Sequence, residues 1–229
     1  MISVLVNTGT VILGSLIGLL LKKGIPEKVT SAVMTAIGLC TIYIGIDGAL
    51  AGENVLIVII AMVIGTIIGT LIDIDGGLNK LADWVGSKTK RNGSEASVAE
   101  GFLTASLLFC IGAMTIVGSL NAGLSGDNRM IFTKSTLDLV SSIMLSASLG
   151  IGVLLSASFV FVFQGAIVLL AQYLEPILTE ATIAEITCAG SLMIIALGLN
   201  LIGVTKIKVS NFLPALVIVP IACWVAGLF

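Results

Sequence analysis

The sequence contains no histidine and few charged residues, and both shortages narrow its class. Of its 229 residues, 10% are charged and 57% are hydrophobic, with a mean hydropathy of +1.18. An ordinary soluble domain carries about 25% charged residues, so this chain has too few to cover a water-facing surface. The lack of histidine removes the side chain that most often binds metals and titrates near neutrality. The composition predicts a polytopic membrane protein.

Basic residues and catalytic motifs are scarce as well. The formal net charge of −2 argues against nucleic-acid binding, because phosphate contacts need many lysines and arginines. No nucleophile elbow, phosphate-binding loop or H-E-x-x-H motif occurs, so we expect neither an enzyme nor a bound cofactor or metal. The cysteines lie inside apolar runs without a C-x-x-C pair, and we interpret them as reduced packing residues; they are Cys40, Cys110, Cys188 and Cys223.

Long uncharged apolar runs are abundant and predict an all-α bundle of transmembrane helices. A bilayer core of about 30 Å needs roughly 20 apolar residues of helix. The fifth run is too long for one span, since its 36 residues would extend about 54 Å as a single helix. A break near Gly150 gives eight spans, and an unbroken run gives seven. The runs cover residues 2–21, 29–46, 55–72, 101–126, 139–174, 186–205 and 209–229.

Loop charge favours eight spans, because short cytoplasmic loops are enriched in lysine and arginine. With a break near Gly150, nine of the eleven basic residues fall on one side, in clusters at 22–28, 80–91 and 206–208. The opposite side then carries Glu53, the Asp127–Lys134 segment and the acidic linker 172–185. We therefore predict one integral membrane domain over residues 1–229, with both termini outside.

Residues 73–98 form the one sizeable loop, which this arrangement places in the cytoplasm. Leu78, Leu81, Ala82 and Val85 recur there at helical spacing, which predicts a short helix lying at the membrane interface. The polar remainder of the loop is typical of a flexible linker.

Glycine spacing and internal similarity suggest how the helices pack. Gly14/Gly18 and Gly65/Gly69 form G-x-x-x-G pairs, which allow close helix contact within a protomer or across a homodimer. Residues 37–50, 110–124 and 188–203 also resemble one another, and eight spans would make the third copy inverted. Such internal repeats build many secondary transporters.

Charges of both signs approach the hydrophobic runs most closely between residues 119 and 152. A carboxylate inside an apolar span is costly and marks a candidate functional site, which makes Asp138 the first candidate. Lys134 precedes it by one helical turn, and a cation at a helix N-terminus opposes the helix dipole. Lys134 therefore needs a partner, for which Asp138 or Asp127 would serve.

Two interpretations of this stretch are open. In the first, a charged outer vestibule leads to Asp138, which accepts a cation or proton in exchange for Lys134. This predicts a small secondary transporter or permease for a small ion or polar solute. In the second, Lys134–Asp138 is a closed ion pair that sets helix register, with serines bonding back to the helix. This predicts a non-transporting scaffold or partner subunit. The candidate binding residues are Asp138, Lys134, Asp127, Ser135, Ser142, Asn121, Met114 and Gln164.

Isolated amides inside the apolar runs form a second group of polar candidates. Asn7, Gln164 and Asn200 each lie within a predicted span. Because an amide in lipid must find a hydrogen-bonding partner, we expect these side chains to point into the bundle.

Several blocks resemble the YdfK/YqgA-type family of bacterial membrane proteins, catalogued as a domain of unknown function. They include N-T-G-T-V-I-L-G-S-L-I-G, F-C-I-G-A-M-T-I-V-G-S-L-N-A-G-L-S-G-D, K-S-T-L-D, F-Q-G-A-I and N-F-L-P-A-L. The resemblance covers essentially the whole chain. It implies a location in the bacterial cytoplasmic membrane and a role in membrane transport, and it carries over no established catalytic or binding residues.

Overall fold

The computed structural model describes residues 1–22, 27–77, 79–80, 96–111 and 113–227. Every regular element in these ranges is helical, so the all-α prediction is confirmed. A helical turn covers residues 74–77 and a 3₁₀ helix covers Val209–Phe212. The α-helices are α1 (Ile2–Lys22), α2 (Glu27–Ala49), α3 (Val55–Ile72), α4 (Ala96–Cys110), α5 (Ala113–Leu124), α6 (Arg129–Leu149), α7 (Ile151–Leu169), α8 (Ala171–Leu174), α9 (Glu180–Leu201) and α10 (Ala215–Val225).

Among the described residues, four helices are long and apolar enough to cross a bilayer, namely α1, α3, α7 and α9. Together α4 and α5 make a fifth if they form one span, bent by 58° at its break. Two of the other predicted spans correspond to shorter apolar helices, Thr35–Ala49 and Val209–Val225. The chain is therefore a helical protein with several apolar spans, and the count of eight stays a prediction. Most of the predicted interfacial helix, from Leu78 to Val85, lies outside the described residues.

The long run 139–174 is broken where expected. Gly150 separates α6 from α7 with a φ of 81°, a conformation that glycine adopts without steric cost. Asn7 donates hydrogen bonds to Asp138 in α6 and to Gln164 in α7. Along one straight helix, those two residues would lie about 39 Å apart. The chain therefore reverses direction at Gly150, and α6 and α7 are two helices.

Two predictions about the extent of the helices were wrong. The run 101–126 is not a single helix, because α4 ends at Cys110 and α5 begins at Ala113. The Thr115 hydroxyl donates to the Phe109 carbonyl (3.0 Å) across this break, which satisfies a carbonyl at the end of α4. The second error concerns α9, which begins at Glu180. Glu185 therefore lies inside a helix and not in an acidic linker.

Glycines on α1 and α3 bring these helices close to others of the same chain. A Cβ added at Gly18 would lie 2.9 Å from the Ala147 amide nitrogen of α6, and one at Gly65 would lie 2.6 Å from the Cα atom of Ala215. Both G-x-x-x-G pairs are thus used within the protomer, where backbones approach closely.

The order of the contacts gives the relative directions of the helices. Gly14 faces Leu139 and Gly18 faces Ala147, so α1 and α6 run parallel. By the same criterion α4 and α7 are parallel, because Gly152 faces Val98 and the Phe102 and Phe159 rings lie 6.1 Å apart.

Two other helix pairs are antiparallel. Gly38 of α2 faces Ile202 and Gly45 faces Ile195 of α9, so residue numbers rise along α2 as they fall along α9. Gly65 of α3 faces Ala215, the first residue of α10, and Gly69 faces Asn211 of the preceding 3₁₀ helix, so the chain entering α10 runs opposite to α3. Among the four long apolar spans, α9 is the most enclosed and α3 the least.

Candidate functional site

Four polar side chains from three helices meet in the interior of the bundle, and we call them the Asp138 cluster. They are Asn7 of α1, Lys134 and Asp138 of α6, and Gln164 of α7. The Lys134 ammonium lies 2.5 Å from Asp138 Oδ2, and the Asn7 amide donates to the same oxygen (3.0 Å). Asn7 also donates to Gln164 Oε1 (3.2 Å). All four residues are buried, the most exposed being Lys134 at 6%.

Charge on Asp138 dictates how the two amides point. A carboxylate accepts hydrogen bonds, so Asn7 must turn its NH₂ group towards Asp138 and Gln164 must turn its oxygen towards Asn7. This orientation leaves Asn7 Oδ1 and Gln164 Nε2 buried without a hydrogen-bond partner. The cluster therefore contains one acceptor and one donor whose hydrogen-bonding capacity is not used by the protein.

The cluster lies well inside the helices and not at their ends. Asp138 follows the first residue of α6 by nine positions, or about 13.5 Å of helix. Gln164 precedes the last residue of α7 by five positions, or about 7.5 Å. Because α6 and α7 are antiparallel, both distances are measured from the same end of the bundle. The cluster therefore occupies the half of the bundle nearer the α5–α6 connection.

The break between α4 and α5 lies beside the ion pair. The Lys134 ammonium is 5.8 Å from the centre of the Phe109 ring, within reach of a cation–π interaction. Phe109 is also the residue whose carbonyl accepts from Thr115 across the break. A break between two helices thus lies next to a buried ion pair, and discontinuous helices form ion and substrate sites in many transporters.

Small residues explain why α1 reaches the cluster. Gly14 and Gly18 let the backbone of α1 approach α6, and the Ser146 hydroxyl donates to the Ser15 carbonyl (2.8 Å). Asn7 lies two helical turns before Gly14 on this same contact face. The close packing of α1 on α6 therefore brings the Asn7 amide to the Asp138 carboxylate.

The two candidate serines of α6, Ser135 and Ser142, are buried, but their hydroxyls bond to backbone carbonyls. Ser135 donates to Ile131 O (2.8 Å) and Ser142 donates to Leu139 O (2.9 Å). Both bonds are made within α6. This is the behaviour that the structural interpretation of the stretch predicts.

The predicted outer vestibule forms a separate group at the surface. Asp127 pairs with Arg129 (2.6 Å between Oδ2 and Nη2), whose side chain is 90% exposed. Hydrogen bonds from Arg129 lower the pKa of Asp127 to about 2. Lys134 pairs with Asp138 and not with Asp127.

Two further candidates lie on α5. Asn121 is half-buried, and its carbonyl accepts bonds from the Ser125 hydroxyl and the Asp127 amide. Met114 is 41% exposed, unlike the members of the Asp138 cluster. Of the eight candidates, Lys134, Asp138 and Gln164 come together.

Two buried polar residues were not among the predicted site residues. Asn7 was expected to point into the bundle, and it proves to be the link between α6 and α7. Glu185 was assigned to a loop, whereas it is 2% exposed within α9. Glu185 is the single charged residue in the stretch ATIAEITCAG, and this isolation could have indicated that it lies inside a helix.

The comparisons with known proteins agree with a membrane location. Residues 2–224 match a family model described as "Protein of unknown function (DUF554)". The chain is similar to the "Uncharacterized membrane protein YdfK" of Bacillus subtilis, with 34% identity over 100% of this chain and 98% of that protein. It is also similar to the "Uncharacterized protein YqgA" of Escherichia coli, with 27% identity over 96% of both. No solved structure matches the chain.

Proposed function

Since this chain belongs to the DUF554 family, a family of unknown function, we propose from its side chains that it is a small secondary transporter or permease. Its substrate is a small ion or polar solute. Asp138 accepts the cation or proton, and Lys134 is the partner that the cation displaces. The proposal rests on the Asp138 cluster and not on the relatives, whose names state no activity.

The observation that carries the proposal is the combination of a closed ion pair with unused hydrogen-bonding groups beside it. A pair that only fixed helix register would need Lys134 and Asp138 alone. Asn7 and Gln164 add a buried acceptor and a buried donor without partners, and each such group costs about 1–3 kcal/mol if it is never satisfied. A polar solute or an ion with its remaining water would satisfy both groups.

In this proposal, α4 and α5 change their relative angle at the break between them during transport. Lys134 contacts both Asp138 and the Phe109 ring, so an arriving cation that takes the place of the Lys134 ammonium on Asp138 also disturbs its contact at the end of α4. Occupancy of Asp138 is thereby coupled to the angle between α4 and α5.

An eight-pass arrangement with both termini outside completes the proposal. In eight alternating spans, α1 and α6 run the same way, as do α4 and α7, while α2 opposes α9 and α3 opposes α10. The contact registers of the described helices support all four relations. We place the chain in the bacterial cytoplasmic membrane, with the lysine-rich loops inside, and we propose a homodimer as its assembly.

The rival is a non-transporting scaffold or partner subunit, and one observation favours it. Ser135 and Ser142 bond back into α6 and therefore do not line an open path in this conformation. In that case, exchanging the charges in Lys134→Asp with Asp138→Lys preserves both the role and the stability of the protein.

The test is thermal unfolding of the purified protein in detergent with Na⁺, K⁺ and a panel of amino acids and other small polar metabolites over a pH series. A ligand that binds only the folded state stabilises it by about 2.7 kcal/mol at a hundredfold excess over its dissociation constant. We expect a ligand that raises Tm for the wild type but not for Asp138→Asn. Asp127→Asn, which removes a partly exposed carboxylate that pairs with Arg129 outside the Asp138 cluster, is the matched control and should keep the shift.

The same variants are then reconstituted in liposomes containing a pH-sensitive dye, and flux of the ligand or of protons is followed. Transport by the wild type and by Asp127→Asn, but not by a folded Asp138→Asn, is the expected result. Wild-type flux in Asp138→Asn would remove Asp138 from the mechanism. The absence of both ligand shifts and flux for every probe would favour the scaffold.

A further inference from the structure

A second carboxylate, Glu185, is buried at the outer end of α9, away from the Asp138 cluster. Its Oε1 accepts hydrogen bonds from the backbone amides of Glu53 (2.8 Å) and Asn54 (2.6 Å), which immediately precede α3. Asn54, at the N-cap of α3, makes no capping bond with its own side chain. Glu185 thus caps α3 from another helix and attaches the α2–α3 loop to α9.

The other carboxylate oxygen, Oε2, is buried and has no hydrogen-bond partner. It points at the loop, since a Cβ added at Gly52 would lie 3.2 Å from it and 2.8 Å from the Cys188 sulfur. A cap needs only the one oxygen that the two amides share. Gln would supply that oxygen without burying a charge, so capping alone does not explain a carboxylate here.

Among the described residues, Glu185 is a buried charged side chain without an oppositely charged partner. The buried charged side chains among the described residues are Lys134, Asp138 and Glu185. Lys134 and Asp138 neutralise each other at 2.5 Å, which leaves Glu185 without a cationic side chain. An ionised carboxylate taken out of water is costly unless it is paired, and a proton on Oε2 removes that cost.

The surroundings of Oε2 suit a proton and not a metal ion. The titratable neighbours are the thiols of Cys188 on the same helix and Cys223 on α10. Glu53 on the loop and Asp47 on α2 are exposed. Hard cations such as Ca²⁺ require several oxygen ligands, whereas the other side chain that faces the same point of the loop belongs to Cys188, whose polar atom is a sulfur.

We propose that Glu185 is an intramembrane proton-binding site, separate from the Asp138 cluster, and that its protonation at Oε2 weakens the attachment of the α2–α3 loop to α9. Two backbone donors stabilise the ionised form, and burial without a cation stabilises the neutral form. Hydrogen bonds to a charged acceptor are about twice as strong as those to a neutral one. The Glu53 and Asn54 amides are therefore held tightly by the carboxylate and less tightly by the acid.

The experiment is infrared spectroscopy of the full chain in detergent over a series from alkaline to mildly acidic pH, combined with amide hydrogen exchange at matched pH values. We expect a protonated-carboxyl band that grows as the pH falls and is absent in Glu185→Gln. The band should persist in Glu53→Gln, Glu100→Gln and Asp138→Asn. Exchange at the Glu53 and Asn54 amides, corrected for intrinsic rates, should become several-fold faster as the band grows.

If Glu185→Gln does not fold, ¹³C labelling of glutamate in the wild type replaces it, because the titrating band must then shift with the label and survive in Glu100→Gln. A band that persists in a folded Glu185→Gln overturns the proposal. So does the lack of any label-sensitive band, or loop exchange that does not follow the band. None of these measurements involves transport, so the proposal stands or falls independently of the permease function.

Discussion

The Lys134–Asp138 pair gives the sharpest quantitative prediction. We consider the single changes Lys134→Met and Asp138→Asn and the double change, all of which approximately preserve side-chain volume. Lys134→Met leaves the Asp138 carboxylate with the Asn7 amide, and Asp138→Asn leaves the ammonium with an amide and the Phe109 ring. Each single change leaves one buried charge without its counter-ion, whereas the double change leaves none.

The expected magnitudes follow from the burial of both partners, whose side chains are 8% exposed. Removing one member of a buried ion pair typically costs about 3–5 kcal/mol, while replacing both by uncharged groups is often neutral or stabilising. We expect each single variant to lose about 3 kcal/mol or more of unfolding free energy, and the double variant to remain within about 1 kcal/mol of the wild type. The coupling energy should then be about 5 kcal/mol or more, above the 0.5–3 kcal/mol range that is usual for residues in contact.

The assay is reversible unfolding by SDS in mixed micelles, followed by circular dichroism, for all four proteins of the cycle. Asp127→Asn and Arg129→Gln provide a matched cycle on an exposed pair of the same segment, where we expect coupling too small to resolve. The double variant also separates the two functional interpretations. A stable but transport-inactive double variant assigns the charges to function, because the fold then does not require them.

A coupling energy for Lys134 and Asp138 as small as that of the exposed pair would refute the reasoning. It would mean that water reaches the pair or that the two side chains lie apart in the membrane. Single variants as stable as the wild type would have the same meaning.

Two further predictions concern packing and the helix break. Gly18→Ala inserts a Cβ against Ala147 of α6 and should destabilise the protein by about 1–3 kcal/mol in the same SDS titration. The control is Gly9→Ala on the same helix, where the added Cβ meets no atom within 4 Å. This variant should be neutral or slightly stabilising. Thr115→Val removes the buried hydroxyl that donates to the Phe109 carbonyl and should lower the free energy of unfolding by about 1–3 kcal/mol. Thr115→Ser keeps the hydroxyl and should retain most of the stability. Equal losses of stability in the two variants would contradict a capping role for Thr115.

Local features of this protein were predictable from the chain. Lys134 and Asp138 are four residues apart, so helix geometry alone brings them together. Gly150 in a run too long for one bilayer crossing predicted the reversal between α6 and α7. The scarcity of charge predicted a membrane protein, because few water-facing side chains are present. Each of these inferences depends on composition or on neighbours within one helical turn.

Features that depend on which helices pack together were not predictable. Asn7 lies 131 residues from Asp138 and 157 from Gln164 along the chain. Its hydropathy does not distinguish it from the other amides in the predicted spans. The break between the end of α4 at Cys110 and the start of α5 at Ala113 lies inside an apolar run that is uniform enough to continue as helix.

By itself, the sequence indicated the membrane class and the helical architecture, and it favoured a break at Gly150 and the pairing of Lys134 with Asp138, since these follow from local spacing and apolar length. Tertiary structure alone decided that Asn7 and Gln164 join that pair, and that Glu185 is buried as the cap of α3. In an apolar bundle, polar groups must find partners inside the protein. Which partners they find depends on where glycine-rich contacts let helix backbones approach, and that is a property of the packed bundle.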